Sequence, residues 1–413
     1  MGDRQLNRNF NLLITGQSVA NIGDVLYMVS IINLIFARTG SATAASFVPF
    51  TITSAMFLSS LLTPLLVGKV SLKWLLAGSQ IGKTILLIGL GVALLYLSEA
   101  ANYAWIFLVI GVIAFLDGCA NPVRQALIPH YVEPEQLLKA NGIGETASQV
   151  VQTIMWFIGS LFLLLISAQV LVWIVAGLFI LASTLLCRLD DVPSSFIEQN
   201  SNWDQLKKGW MSLTSTPVLR QIAKIDILET IAGAVWIAAI ILVFVTEALN
   251  RDERWWGFIN GAYFFGLIIG SIYCIKYASS IERKLGSVIC WSSIATFLVT
   301  LLFSFNQMPS IAVLLSLLIG TFSQLKSIPQ QTIIQTSVPR EDLSSVYSSL
   351  GAISTGMFGL ASLAMGIAAD LFGVRAAFVI SASLLGGASL LVFKHKPLFE
   401  GNVDRRDFHA QNR

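Results

Sequence analysis

Twelve long apolar runs divide this chain, and they constrain its fold more than any other feature. A helix crossing a ~30 Å hydrocarbon layer needs about 20 mostly apolar residues, each contributing ~1.5 Å. Backbone groups in lipid must be satisfied within the segment, so runs of that length are read as helices. They fall roughly at 10–36, 44–67, 73–97, 104–127, 138–166, 169–187, 221–248, 255–277, 286–305, 309–331, 344–369 and 374–393. The charged share is 12% and the mean hydropathy +0.74, against about 25% charged residues in a soluble domain. Arg4 and Arg8 precede the first run. That run is too long for a signal h-region and has no Ala-x-Ala site after it, so no cleavable signal is expected.

The runs form two sets of six. Phe115–Asn141 has a looser copy at Ser327–Tyr347. Pro122 answers to Pro329, and the stretch Val132–Leu137 answers to Val338–Leu343, offsets of 207 and 206 in a chain of 413 residues. The expected fold class is therefore an all-α membrane protein, with twelve transmembrane helices in two pseudo-symmetric six-helix bundles. The expected organisation is an N-terminal bundle over 1–187, a cytoplasmic linker over 188–219, a C-terminal bundle over 220–396 and a cytoplasmic tail over 397–413. Within the linker, Trp203, Leu206, Trp210 and Leu213 recur at helical spacing with Lys207 and Lys208 between them. That pattern predicts an amphipathic helix on the membrane surface.

Lys and Arg sort by side. One set of ends and loops holds twenty-one of the 26, with Arg124, Lys224, Lys276 and Lys326 counted among them. The other set holds Arg38, Arg251, Arg254 and Arg375, and Lys83 alone is left in mid-span. An even helix number with this asymmetry predicts both termini in the cytoplasm, in a multi-pass protein of the cell membrane. Cys119, Cys187, Cys274 and Cys290 lie scattered in apolar stretches without metal spacing, so neither a metal nor another cofactor is expected. No catalytic constellation is visible, and the expected class is not an enzyme.

Ala77–Thr84, read AGSQIGKT, fits a relaxed phosphate-loop pattern. A working phosphate loop follows a strand and opens a helix in water. This octet sits inside the third apolar run, so nucleotide is not expected as a partner, nor is nucleic acid. Lys83 is expected either to pair with a carboxylate across the bundle or to snorkel toward the membrane surface.

Charged side chains within a bilayer are costly, by about 2.5–3.5 kcal/mol even on a lenient scale, so they face a cavity or a partner. Gln17, Asn21 and Asp24 share one face of the first helix, and Asp117, Asn121 and Arg124 repeat the spacing in the fourth. Asn141, Glu145, Ser148 and Gln152 stripe the fifth, Asp226 and Glu229 the seventh, and Thr321, Gln324 and Gln331 the tenth. Asp24 is deep and has no basic residue on its own helix, so its expected protein partner is Lys83. A carboxylate there can bind and release a proton in the physiological range. Asp24, Asp117, Asn21 and Gln17 are accordingly the expected proton- and substrate-binding residues. Arg124 with Glu145 is either a cytoplasmic gate or a simple structural latch. Asp226 and Glu229 are the counterpart gate, or a lock closed by Lys224 or Arg220. Gly266 and Gly270 are expected to serve close helix packing.

These residues bring a resemblance into view. Arg8-Asn9-Phe10 with Gln17 and Gly23, Arg38-Thr39-Gly40-Ser41-Ala42, Ile128-Pro129-His130-Tyr131-Val132 leading to Ala140-Asn141, and Gly366–Gly373 are similar to segments of the major facilitator superfamily. Within it they resemble drug:proton antiporters of the macrolide-efflux and enterobactin-exporter type. The resemblance runs from about Arg8 to Phe393. It implies two bundles rocking about a central cavity lined mainly by helices one, four, seven and ten, with protons and a small organic molecule as partners. The cargo it implies is a drug, as in multidrug efflux, or a dedicated metabolite such as a metal chelator. A membrane sensor or scaffold that no longer transports is the distant alternative. One departure stands out: after Pro64 and Gly68 come Lys69-Val70-Ser71-Leu72-Lys73, where relatives carry Asp-Arg. The acid that latches the inward gate in relatives is missing from this loop.

Overall fold

The computed structural model describes residues 7–39, 42–67, 69–96, 104–192, 202–236, 238–252 and 254–400. The first half holds α1 (Arg8–Thr39), α2 (Ala42–Leu62), α3 (Leu72–Tyr96), α4 (Ala104–Tyr131), α5 (Leu137–Leu165) and α6 (Ala168–Cys187). A helix in the linker, α7 (Asn202–Ser215), leads to α8 (Pro217–Gly233), α9 (Ala238–Val243), α10 (Arg254–Lys276) and the short α11 (Ala278–Glu282). Then follow α12 (Leu285–Phe305), α13 (Pro309–Ser337), α14 (Leu343–Phe372), α15 (Val374–Lys394) and α16 (Lys396–Glu400). Among the described residues the only β-type pairing is one isolated bridge, Val67 with Val70. Gly40, Ser41, Gly68, linker residues 193–201, tail residues 401–413 and the start of the chain with Arg4 lie outside the described residues. So do the side chains of Arg38, Trp156, Trp203 and Leu206.

Ten of these helices are individually long and apolar enough to cross a membrane, and an eleventh crossing is made if a bent pair is one span. α5 is also 29 residues long, about 40 Å at the helical rise, and its side chains from 156 to 165 are outside the described set. The prolines do not end the helices. α4 runs through Pro122 and Pro129, and α13 through Pro329. Apolar surroundings leave a helix no better way to satisfy its backbone, so proline is tolerated there.

The seventh run differs from expectation, because it is broken. Pro217–Trp236 and Ile240–Ala248 meet at 52°, and Phe244–Ala248 is wound as a π-helix. Two carbonyls of the broken span accept from α15, whose Arg375 also donates to α12. Ser381 Oγ donates to Ala232 O at 2.8 Å, and Arg375 donates to Ala248 O at 2.9 Å and Ser304 O at 2.8 Å. Hydroxyl and guanidinium groups on neighbouring helices are what make a broken span affordable in lipid.

The chain groups into two compact units. Unit 1 contains Met1–Glu133, Val150–Trp210 and Arg340–Ala352, and unit 2 contains Pro134–Gln149, Met211–Pro339 and Ile353–Arg413. Unit 1 has a core of Leu26, Ile31, Ile35, Leu87, Ile110, Leu171, Val175 and Phe179. Unit 2 is built around Phe244, Phe303 and Phe378, with rings 4.7–5.0 Å apart. In unit 2, α10 and α13 touch backbone to backbone. A Cβ on Gly266 would strike Leu317 O, and one on Gly320 would strike Tyr263 O, the close approach that small residues permit.

Each half contributes the start of its fifth long helix to the other unit. The first turns of α5 pack in unit 2, where Asn141 Nδ2 donates to Gln335 Oε1 at 2.7 Å and Thr332 Oγ1 at 3.1 Å. The first turns of α14 pack in unit 1, where Asp342 meets Lys208 of α7 at 2.5 Å. Leu343 follows Leu137 by 206 positions, so this exchange obeys the sequence repeat.

Candidate functional site

Unit 1 holds a lysine shared by two carboxylates. Lys83 projects from the middle of α3, and its side chain is 1% exposed. Its Nζ donates to Asp24 Oδ1 of α1 at 2.7 Å and to Asp117 Oδ1 of α4 at 2.6 Å. The Phe179 ring of α6 covers it at 4.9 Å. An ammonium buried this deeply must be paired and hydrogen-bonded. The two carboxylates are about a quarter exposed, 25% and 27%, so each reaches the lysine yet keeps an open side. With all three ionised, two acids and one lysine leave one uncompensated negative charge.

The surroundings are polar and incompletely satisfied. Gln17 donates to Asn21 Oδ1 at 2.9 Å one turn before Asp24. The buried hydroxyl of Tyr27, one turn after Asp24, and the buried Nε2 of Gln80, one turn before Lys83, have no hydrogen-bond partner among the described residues. The octet Ala77–Thr84 is helical within α3, with its lysine engaged by two carboxylates, so it forms no loop around a phosphate. On α4, Asn121 is exposed, while Arg124 is buried and its Nε has no hydrogen-bond partner among the described residues.

Unit 2 holds a different arrangement along α13. Lys326, 8% exposed, pairs with Glu229 of α8. Four residues on, Gln330 Nε2 donates to Asp226 Oδ1 at 2.7 Å. Another face of α13 meets α5: Gln324 and Gln331 each donate to Glu145, at 3.3 Å. The charge asymmetry places Lys326 with the basic residues of helix ends, but it is buried inside a helix with an acid as partner. Lys224 and Arg220, the partners considered for Glu229 from sequence, are exposed. The signal for Lys326 was its position within the 309–331 run, the same logic that marked Lys83. Arg124 belongs to unit 1 and Glu145 to unit 2.

Residues 13–249 match the Major Facilitator Superfamily. Two Bacillus subtilis (strain 168) proteins described as uncharacterized MFS-type transporters are each 30% identical. YfmI matches over 95% of this chain and 98% of its own length, and YjbB over 92% and 93%. The chain belongs to the Major Facilitator Superfamily. It is a multi-pass membrane transporter and not an enzyme. Solved major facilitator structures share the fold at low identity. The human organic anion transporter MFSD10 has a TM-score of 0.73 at 12% identity, over 93% of this chain and 99% of its own. The E. coli fucose:proton symporter FucP has 0.72 at 13%, over 93% and 97%. A bacterial homologue of the iron transporter ferroportin has 0.71 at 14%, over 94% and 99%.

Proposed function

We propose that this major facilitator is a proton-coupled exporter of a small organic molecule, working by alternating access in the cell membrane with both termini cytoplasmic. The observation that carries the reading is Lys83, held between Asp24 and Asp117 by one oxygen of each. A proton added to Asp24 neutralises the cluster and releases Lys83 wholly to Asp117. Losing that proton frees a carboxylate for a cationic substrate group, with Asn21 and Gln17 alongside. Competition between proton and substrate for one carboxylate is the simplest form of antiport. Arg124, Glu145, Asp226 and Glu229 are assigned to gating, between bundles spanning 1–187 and 220–396.

The macrolide-efflux type of cargo fits the half-buried aromatic pair Trp236 and Tyr263, stacked at 6.0 Å. A second cargo, a zwitterionic metal-chelating metabolite, fits an interior that offers both lysine and carboxylate charges in each unit. Inverted membrane vesicles provide the test, with ethidium and a catecholate chelator as probes. A proton-coupled exporter accumulates its cargo and loses that accumulation when the pH gradient is collapsed. Accumulation that persists unchanged contradicts proton coupling, and failure with both probes in reconstituted protein would favour a sensor or scaffold.

A further inference from the structure

The two units balance their buried charges differently. In unit 1 both carboxylates touch the ammonium of Lys83. In unit 2 Lys326 pairs with Glu229, and Asp226 receives the neutral amide of Gln330 at 2.7 Å. Two acids and one lysine again leave one excess negative charge; Lys326 acts on both acids, but its contact is with Glu229, whereas the direct contact of Asp226 is the amide of Gln330.

Among the described residues, the other elements packed on α8 place no further counter-charge in contact with Asp226. On α15, Arg375 donates to two backbone carbonyls and Lys394 lies in the last turn. On α16, Lys396 pairs with Glu400 at 3.5 Å. On α8 itself, Lys224 and Arg220 are exposed and Glu229 is one turn away. An ionised carboxylate removed from water is stabilised by a charge partner far more than by a neutral amide. A single proton on Asp226 therefore brings the whole unit 2 cluster to neutrality, and Gln330 can hold either form. Its Nε2 donates to the carboxylate, and its Oε1 can accept from the protonated acid after an amide flip.

We infer that Asp226 is a second proton-binding site, held by Gln330 on α13, so that the transporter carries one exchangeable proton in each unit. This rests on the proton-coupled reading above and extends it from one site to two. It gives Asp226 a role distinct from gating, and it makes Gln330 a positioning residue.

The experiment is an infrared pH titration of the purified, lipid-embedded protein, following the carbonyl band of protonated carboxyl groups. The wild-type band is expected to contain two components. Asp226→Asn removes one, Asp24→Asn the other, and the double variant loses both. Gln330→Lys keeps the carboxylate but gives it the counter-charge found in unit 1, so it too abolishes the Asp226 component. It carries the test if Asp226→Asn fails to fold. A band unchanged in Asp226→Asn, or in Gln330→Lys, overturns the inference. A band lost in Asp226→Asn but unchanged in Asp24→Asn supports it while overturning Asp24 as the coupling site, so the two readings fail separately.

Discussion

Lys83 is the residue on which unit 1 depends, because two carboxylates from different helices share its charge. Removing it leaves two partly buried acids without their shared ammonium. Breaking a buried pair from one side costs about 3–5 kcal/mol, so Lys83→Ala is expected to lose roughly that much stability in a thermal or denaturant titration of the purified protein. Asp24→Asn is expected to be far milder, because Lys83 and Asp117 remain as a balanced pair at 2.6 Å. Equal destabilisation by the two substitutions would show that Lys83 is not the shared partner. At this scale the sequence was partly legible. Asp24 and Lys83 stood out as lone charges in long apolar runs, and their pairing followed from the cost of leaving them alone. Lys326 did not stand out, because it sits close enough to a run's end to be read as a surface anchor. Its pairing with Glu229 depends on how α8 and α13 meet, which no single run encodes.

At the scale of elements, the positions of the long helices were written in the apolar runs, since lipid admits few alternatives to a long helix. The break in the seventh span was not. Hydropathy averages over the 3₁₀ turn Ala234–Trp236 and the π-helical turn Phe244–Ala248, and the donors that make them tolerable come from α15. Ser381→Ala removes the donor to Ala232 O and leaves that carbonyl unsatisfied, at an expected cost of about 1–3 kcal/mol. A fall in melting temperature measures it, and a neutral result would mean the carbonyl finds another donor. The α10–α13 crossing makes a sharper prediction. Gly320→Leu forces a side chain against the backbone of α10, where not even a Cβ fits. Overpacking of this kind costs about 1–3 kcal/mol or more, and loss of monodisperse protein in size-exclusion chromatography is the expected sign. Wild-type behaviour would contradict the backbone contact.

For the whole molecule, the repeat was legible in Pro122 with Pro329 and in the 206-residue offset, but the exchange it produces was not. The starts of α5 and α14 each pack in the unit built mainly from the other half. Periodicity shows which face of a helix is polar, not which neighbour satisfies it. Glu145 illustrates this: its stripe was visible, while its donors Gln324 and Gln331 lie 179 and 186 residues away. If alternating access requires the start of α5 to leave α13, a cross-link between Asn141→Cys and Gln335→Cys in a background without native cysteines should stop transport, with recovery on reduction. Full activity while cross-linked would mean that these helices move together throughout the cycle. In the proposed cycle the Asp24–Lys83–Asp117 cluster couples proton to cargo. The most direct measurement is transport by purified wild-type and Asp24→Asn protein in liposomes, with and without an imposed pH gradient. Asp24→Asn is expected to equilibrate its cargo across the bilayer but no longer to concentrate it when the gradient is applied. Wild-type concentration by Asp24→Asn would contradict it.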